Sequence, residues 1–496
     1  MIRVIVQVVK YLLLFLMIFF TMETFMVLKR REEEARRRIM RNQIVLMILF
    51  NIAAFTALFL QSMEMDMILL FGALLIYIIV VQALYRIIYR KASMILLNCM
   101  CMMLSIGFVI QARLGLDDAK KQLLIAAVAT MICFIIPFIV RRAQILSRIP
   151  WVYCVVGLLL LAAVFVLGRA TGGANLNLEI SGISFQFSEF VKITFVLFVA
   201  GMLTRATSFR QVLIVTIFAA MHVGILVISR DLGAAIIYFI AYIIMVCVAT
   251  RNVGYAALGF GGIAGASVVA YKLFDHIRVR VQVWRDPFAD YEVTGYQIVQ
   301  ALFGIAAGGW FGTGLFEGHP EMIPVVHKDF TFAAICEEMG ILFGICLILL
   351  CMGMYLLIIN IATRLDNKFY KLVAIGLGTE YAFQVFLTIG GTVKFIPMTG
   401  ITLPLISYGG SSLMCTIIMI SIIQGLYIMR SDETEEKEER HRQEIERRWL
   451  KEQEQKRAGA ERNRRPAVPE DKELTKGDTD ELGRKIREKT EESLNW

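Results

Sequence analysis

The chain has 496 residues, 57% of them hydrophobic, and a mean hydropathy of +0.65. An ordinary soluble domain is about half apolar, and apolar runs long enough to span a bilayer, about 20 residues each, recur along residues 1–430. This composition excludes a soluble enzyme, and the continuous runs exclude the short alternating strands of an outer-membrane barrel. The net charge of +9 comes from 51 Lys+Arg against 42 Asp+Glu. Its basic residues flank the apolar runs, so they report membrane topology and not nucleic-acid binding.

In chain order, the length criterion predicts about thirteen helical spans. They lie near 10–28, 44–62, 66–88, 94–111, 122–140, 151–168, 187–204, 211–228, 232–250, 253–272, 332–358, 370–390 and 412–429. The first has no small-residue cleavage site behind it and reads as an uncleaved span. One set of connections carries Arg36-Arg37-Arg38, Arg86, Arg90, Lys91, Arg141-Arg142, Arg148, Arg205, Arg210, Arg251, Arg364 and Lys368. The positive-inside rule makes this set cytoplasmic. The other set holds Glu64, Asp66, the mixed-charge 112–121, 169–186, the Ser229-Arg230-Asp231 corner, 273–331 and 391–411. The N-terminus and the long 273–331 loop are then expected outside.

That loop, of roughly 60 residues, far exceeds the usual connection between helices. It is rich in glycine and aromatic residues, so order and chemistry are expected of it. It carries Arg278, Arg280, Arg285, Asp286 and Asp290 and ends in His327-Lys328-Asp329-Phe330. From Arg430 the composition turns to Glu, Lys and Arg. Residues 433–464 can form a solvated helix with i,i+4 pairs, although the composition favours a disordered cytoplasmic tail.

Ionisable residues within spans are costly and tend to face a cavity or a partner. Glu189 and Lys192 share a helix face at i,i+3 near the outer start of the seventh span. Asp231 opens the ninth span as a cap or a functional acid. Glu380 lies within the twelfth, and Glu337 and Glu338 lie about two turns into the eleventh, where structural roles are favoured. Lys192, Arg278 and Arg280 as cations, with Asp231 and Asp329 as carboxylates, are expected to converge at the outer face. Guanidinium groups bind phosphate bidentately, and a neighbouring carboxylate can serve as general base. A membrane-anchored phosphate ester suits this set.

Gly308-Gly309…Gly312-Thr313-Gly314 lacks the Lys-Ser/Thr ending of a phosphate loop, so no nucleotide is expected. The nine cysteines fall in apolar runs without a CxxC pair, and the five histidines lack metal-ligand spacing, so no protein-held metal is expected from spacing.

Taken together, the motifs resemble the SEDS family (shape, elongation, division and sporulation) of RodA, FtsW and SpoVE. The resemblance rests on Phe185-Gln186-Phe187-Ser188-Glu189 with Lys192, on Asp231-Leu232-Gly233, and on Arg278-Val279-Arg280 through Asp286-Pro287. It continues through Gly295-Tyr296-Gln297-Ile298-Val299-Gln300, the glycine run 308–314, and His327-Lys328-Asp329-Phe330 with Glu337-Glu338. Pro397-Met398-Thr399-Gly400, Leu403-Pro404 and Ser407-Tyr408-Gly409-Gly410-Ser411 complete it. Three positions depart from the family pattern. Asn177 stands where Trp is frequent, and Phe187 and Arg230 each stand for a proline.

The resemblance implies a ten-span core over 90–430, an added three-span segment at 1–89 and a charged tail at 431–496. It implies a peptidoglycan glycosyltransferase that polymerises lipid II at the outer membrane face, serving elongation, division or sporulation. Asp329 would be the catalytic carboxylate. Lys192, Arg278, Arg280, Glu189, Asp231, Gln297, Gln300 and Ser407 would handle substrate, with a divalent cation such as Mg or Mn as a possible aid. The implied partners are lipid II, the growing glycan strand, a class B penicillin-binding protein acting as transpeptidase, and cytoplasmic division or elongation proteins at the tail. A lipid II flippase and a non-catalytic scaffold for a transpeptidase are the alternatives.

Overall fold

The computed structural model describes residues 2–462 except Arg31, Ala143, Gly168, Gly172, Gly173, Ser181, Gly182, Thr207 and Asp290, together with Arg484. Twelve helices among the described residues are long and apolar enough to cross a membrane. The 18-residue helix α7 is a shorter apolar helix at the place of the remaining predicted span. The protein is a multi-pass helical membrane protein.

Three helices open the chain: α1 (Ile2–Lys29), α2 (Glu33–Ser62) and α3 (Met65–Ile88). Helix α1 packs on α2, and α2 and α3 pack on α4 (Met94–Leu114), whose apolar window is 94% buried. A buried polar ladder fixes this packing. Gln43 Nε2 donates to Thr24 Oγ1 at 3.0 Å, Asn98 Nδ2 donates to Gln43 Oε1 at 3.1 Å, and Gln82 Nε2 donates to Asn98 Oδ1 at 2.8 Å. Side-chain amides buried between spans need such partners because lipid supplies none.

The chain continues through α5 (Leu116–Cys133), α6 (Ile136–Arg142) and α7 (Pro150–Leu167). A small antiparallel sheet follows, made of β1 (Arg169–Thr171), β2 (Ala174–Ile180) and β3 (Ile183–Gln186), with Asn177 opposite Gln186. The sequence there alternates with period two, the strand signature, and this sheet is an addition to the all-helical expectation. The side chain of Asn177 lies outside the described residues.

Helices α8 (Phe187–Arg205), α9 (Phe209–Ile228), α10 (Leu232–Thr250) and α11 (Gly254–Leu273) come next. The described residues of the long loop carry regular structure. It contains α12 (Asp275–Arg285) and α13 (Tyr296–Gly308).

The predicted eleventh span at 332–358 is two helices, α14 (Thr331–Met339) and α15 (Ile341–Thr363). Gly340 separates them with φ +92°, a conformation that glycine adopts without steric cost. A Cβ there would sit 2.5 Å from the backbone of Phe311 and Gly312. Glu337 and Glu338 therefore belong to a short helix before the span and not two turns inside it.

Helix α16 (Lys368–Thr392) packs on α8, α10 and α15, and α17 (Gly410–Arg462) follows. Residues 1–428 form one compact unit and 429–496 a second. The described residues of the second unit up to Arg462 are helical, against the disorder that composition favours. An i,i+4 pair such as Glu436–Arg440, at 3.2 Å, is the kind of contact that supports a solvated helix.

Candidate active site

The site is built on the turn that precedes α14. Phe330 is fully buried and anchors it. The His327 carbonyl accepts from Tyr408 N at 2.8 Å, Thr331 Oγ1 at 2.9 Å and Gln111 Nε2 at 3.1 Å. Thr331 Oγ1 also donates to Val326 O at 2.9 Å. Thr392 Oγ1 donates to the Asp329 carbonyl at 3.3 Å. The backbone around Asp329 is thus tied to α4, α16 and the 393–409 segment, while its side chain is left out of these bonds.

The Asp329 carboxylate is partly exposed, and no described residue makes a hydrogen bond to it. It lies beside Gly400, where a Cβ would be 3.7 Å from Oδ2. Desolvation by its surroundings pushes its pKa up to about 6, against the opposing pull of Lys328 and Arg280. A base near this value is well matched to proton abstraction at neutral pH.

Arg280 projects from α12 and its Nη1 donates to Met398 O at 3.1 Å. Burial pulls its pKa down, while the charges of Asp329 and Asp231 push it up, so it lies within electrostatic reach of both acids. It also lines an apolar groove of about 510 Å³ with Ala235, Phe239, Ile263, Phe386 and Pro397. The rim of this groove carries Thr399, whose Oγ1 is buried without a hydrogen-bond partner. An apolar trough with a guanidinium at its rim and a carboxylate beyond fits an ester of a lipid and a phosphate.

The other sequence-predicted residues are spread: Asp231 stays within reach of Arg280 and Ser407 backs the Asp329 turn, while the rest lie apart from it. Lys192 does not join Asp329. It is buried in the bundle with Nζ 2.6 Å from Glu189 Oε2, and it donates to Gln384 Oε1 at 2.8 Å. Glu380 lines the same cavity of about 20 Å³. Asp231 is a helix cap: Oδ1 accepts from Ala234 N at 3.1 Å, and Oδ2 accepts from Ser188 Oγ at 2.8 Å. Arg278 is exposed and pairs with Asp275 at 3.3 Å. Gln297 is exposed, and Gln300 donates to the Tyr291 hydroxyl at 3.0 Å. Ser407 is buried, accepting from Leu403 N at 3.0 Å and donating to Thr331 Oγ1 at 3.1 Å, so it braces the Asp329 turn from behind. Phe187 is partly buried 6.5 Å from the Phe190 ring, and Arg230 takes φ 64° at its corner. Asp290 lies outside the described residues.

Sequence reasoning passed over Arg113. Its Nε donates to Glu338 Oε1 at 2.7 Å, and Nη2 donates to Gly318 O at 3.1 Å and Glu321 Oε2 at 3.2 Å. Burial raises the Glu338 pKa to about 7 while Arg113 lowers it. Glu337 Oε1 accepts from His319 N at 2.7 Å. The two glutamates therefore hold the glycine-rich segment against α14, the structural role expected of them. Arg113 lies at the end of an apolar span, where the sequence shows only one more topology charge; its partners are more than 200 residues away.

Among the described residues no group of three or more His, Cys, Asp or Glu could hold a metal ion. The neighbours of Asp329 are cations, so the donor set does not fit a protein-held divalent cation.

Comparison with known proteins bears on the whole assembly. The chain is 35% identical over 364 residues to the peptidoglycan glycosyltransferase RodA of Mycobacterium tuberculosis, covering 66% of this chain and 76% of that protein. It is 32% identical over 302 residues to the probable peptidoglycan glycosyltransferase FtsW of Bacillus subtilis, covering 57% and 75%. The fold is similar to a chain from a peptidoglycan synthase complex that coordinates polymerization and crosslinking. That match has a TM-score of 0.59 and 24% identity over 68% of this chain and 98% of the other. Residues 85–431 match the family model of the FtsW, RodA and SpoVE cell cycle proteins, and the chain belongs to that family.

Proposed function

We propose that this protein is a peptidoglycan glycosyltransferase that polymerises lipid II at the outer face of the cytoplasmic membrane. The observation that carries the reading is the placement of Asp329. Its carboxylate is partly exposed, unbonded and shifted towards neutral pH, and it lies in the field of Arg280, a residue that lines an apolar groove. The groove suits a polyprenyl tail, Arg280 the diphosphate, and Asp329 the sugar hydroxyl. Asp329 takes the proton of the acceptor hydroxyl. The oxygen attacks the anomeric carbon of the donor, the bond from that carbon to the diphosphate oxygen breaks, and undecaprenyl pyrophosphate leaves with inversion. Arg280 stabilises the charge growing on the leaving group, as preorganised cations do in low dielectric. No step here uses a divalent cation.

Transport of the same lipid would require a charged passage through the bundle. The charged cavity at Glu189, Lys192 and Glu380 has about 20 Å³, room for about one water and far too small for a disaccharide. The outer placement of the N-terminus is supported by the arginine distribution and by its contacts with the long loop, where Lys10 Nζ donates to Gly312 O at 2.9 Å. A class B penicillin-binding protein is the partner this reading favours. Its support is the likeness in fold to a synthase in which polymerization is coordinated with crosslinking. The charged tail remains the candidate contact for cytoplasmic division or elongation proteins.

The test is a polymerisation assay of purified protein with lipid II, wild type against Asp329→Ala. Glycan strands should form with the wild type and be lost in the variant. Full activity in the variant would overturn the assignment.

A further inference from the structure

The first two helices lie outside the family match of 85–431, yet they reach the machinery of the site. The glycine-rich segment turns through Gly312 at φ +80° and Gly314 at φ +111°. These turns aim two backbone carbonyls away from the segment's own amides. Both carbonyls are met by side chains of α1. Gln7 Nε2 donates to Thr313 O at 2.8 Å, and Lys10 Nζ donates to Gly312 O at 2.9 Å. Tyr11 packs on Phe311 with ring centroids 5.5 Å apart. A Cβ on Gly314 would sit 3.1 Å from Val6 Cγ1. At the far end of the segment, Glu317 accepts from Gln61 Nε2 of α2 at 3.2 Å and lies 3.6 Å from Arg3 Nε.

The inner side of the same segment is fastened to α14. Thr313 N donates to Glu337 O and Gly314 N to Glu338 O, each at 2.9 Å, and Phe316 N donates to Glu338 Oε1 at 3.2 Å. A Cβ at Gly308 or Gly312 would collide with the carbonyls of Cys336 or Glu338, at 2.1 and 2.3 Å. The segment therefore cannot slide on α14 without moving it. Helix α14 is nine residues long and starts two residues after Asp329. By helical rise it spans about 14 Å, and a short, fully buried helix transmits a shift of one end to the other.

We propose that Lys10 and Gln7 are positioning residues for Asp329, acting through the glycine-rich segment and α14. The N-terminal helices would thus form a buttress of the active site and not merely an extra membrane anchor. This inference rests on Asp329 being the general base, as proposed above. A misplacement of about 1 Å in a catalytic group can cost on the order of 100-fold in rate, so a small loosening of the segment should register in turnover.

The experiment uses the full-length protein in lipid with lipid II as substrate. It compares wild type, Lys10→Met/Gln7→Leu, Lys10→Arg and Asp329→Asn, measuring kcat, KM and amide hydrogen exchange at Thr313 and Gly314. The double variant should lose at least tenfold in kcat with KM within twofold, and the two amides should exchange at least tenfold faster. Lys10→Arg, which keeps a donor for Gly312 O, should stay within threefold of wild type in kcat. Wild-type kcat in the double variant overturns the proposal, whatever the exchange shows. So does an equal loss in Lys10→Arg, or a loss that appears in KM alone. If the double variant does not fold, Glu317→Gln, which weakens the hold of Arg3 and Gln61, carries the same expectation. Full activity in Asp329→Asn would instead refute the assignment of the base, and the exchange measurement would still report on the buttress.

Discussion

Two of the charged clusters among the described residues are built in opposite ways. In the bundle, Glu189, Lys192 and Glu380 are enclosed, with Lys192 bonded to Glu189 and Gln384. At the turn before α14, the backbone of Asp329 is held by neighbours on three sides while its carboxylate is left unbonded beside Gly400 and in the field of Arg280. A lysine held by a carboxylate and an amide inside the fold has no donor aimed at a substrate. A carboxylate held in place by its backbone alone keeps its lone pairs for a reactant. Burial of a charge, by itself, does not mark an active site; a carboxylate held in place by its backbone and still reachable from outside the fold is a better sign.

The largest effect expected from this contrast is on turnover. Asp329→Asn should reduce polymerisation by about 1000-fold, the scale of a lost general base. It should also stabilise the fold by about 1 kcal/mol at pH 7.5, a figure discounted for partial exposure. The sign follows from linkage. The folded pKa of about 6 lies above the ordinary carboxylate value of 3.8, so the native state favours the neutral acid. Stability from this group is present below pH 4 and lost as pH rises through 6, and the amide removes that loss. Thermal unfolding in detergent reads the second half of the prediction, and a destabilised Asn variant would contradict it.

Lys192→Met should behave in the reverse manner. It leaves two carboxylates buried without their cation, and removing one partner of a buried pair costs about 3–5 kcal/mol. Normal thermal stability together with lost activity would move Lys192 into the substrate site and erase the contrast. Arg280→Ala should lower kcat by about 100-fold, comparable to the loss of one oxyanion donor, with a smaller change in unfolding temperature. The gentlest test is pH. With wild-type protein, kcat/KM should be flat above pH 7 and fall about tenfold per unit below 6, as Asp329 takes up its proton. Shifting this midpoint upward by removing Arg280 would place the two groups in one field; an unchanged midpoint in Arg280→Ala would separate them.

Much of this was legible in the residues. Length and hydropathy located the spans, because a helix in lipid has to be apolar over a fixed length. The order of motifs picked out Asp329 and named Arg280 only together with Arg278 and Lys192. What could not be read were the long-range partners. Glu189 and Lys192 announce one another at i,i+3, but the lysine's second buried partner, Gln384, is nearly 200 residues away. Ser407 reads as a polar motif residue beside the site, and only its bonds to Thr331 and Leu403 show that it braces the turn. Arg113 was overlooked for the same reason. The break at Gly340 was hidden because apolar residues flank a single glycine, and hydropathy does not register a positive φ. The helix within the charged tail had a signal in its i,i+4 pairs, which composition outweighed.

The buried ladder from Thr24 through Gln43 and Asn98 to Gln82 bears on how the protein is made. Helices inserted one after another from the N-terminus would place α1, α2 and α3 in the bilayer before α4 arrives. The amide of Asn98 then enters a membrane in which its partners are already waiting. A chain trimmed to the family match would begin just before α4 and turn that amide towards acyl chains that can bond nothing. For this ladder, order of synthesis and order of packing coincide.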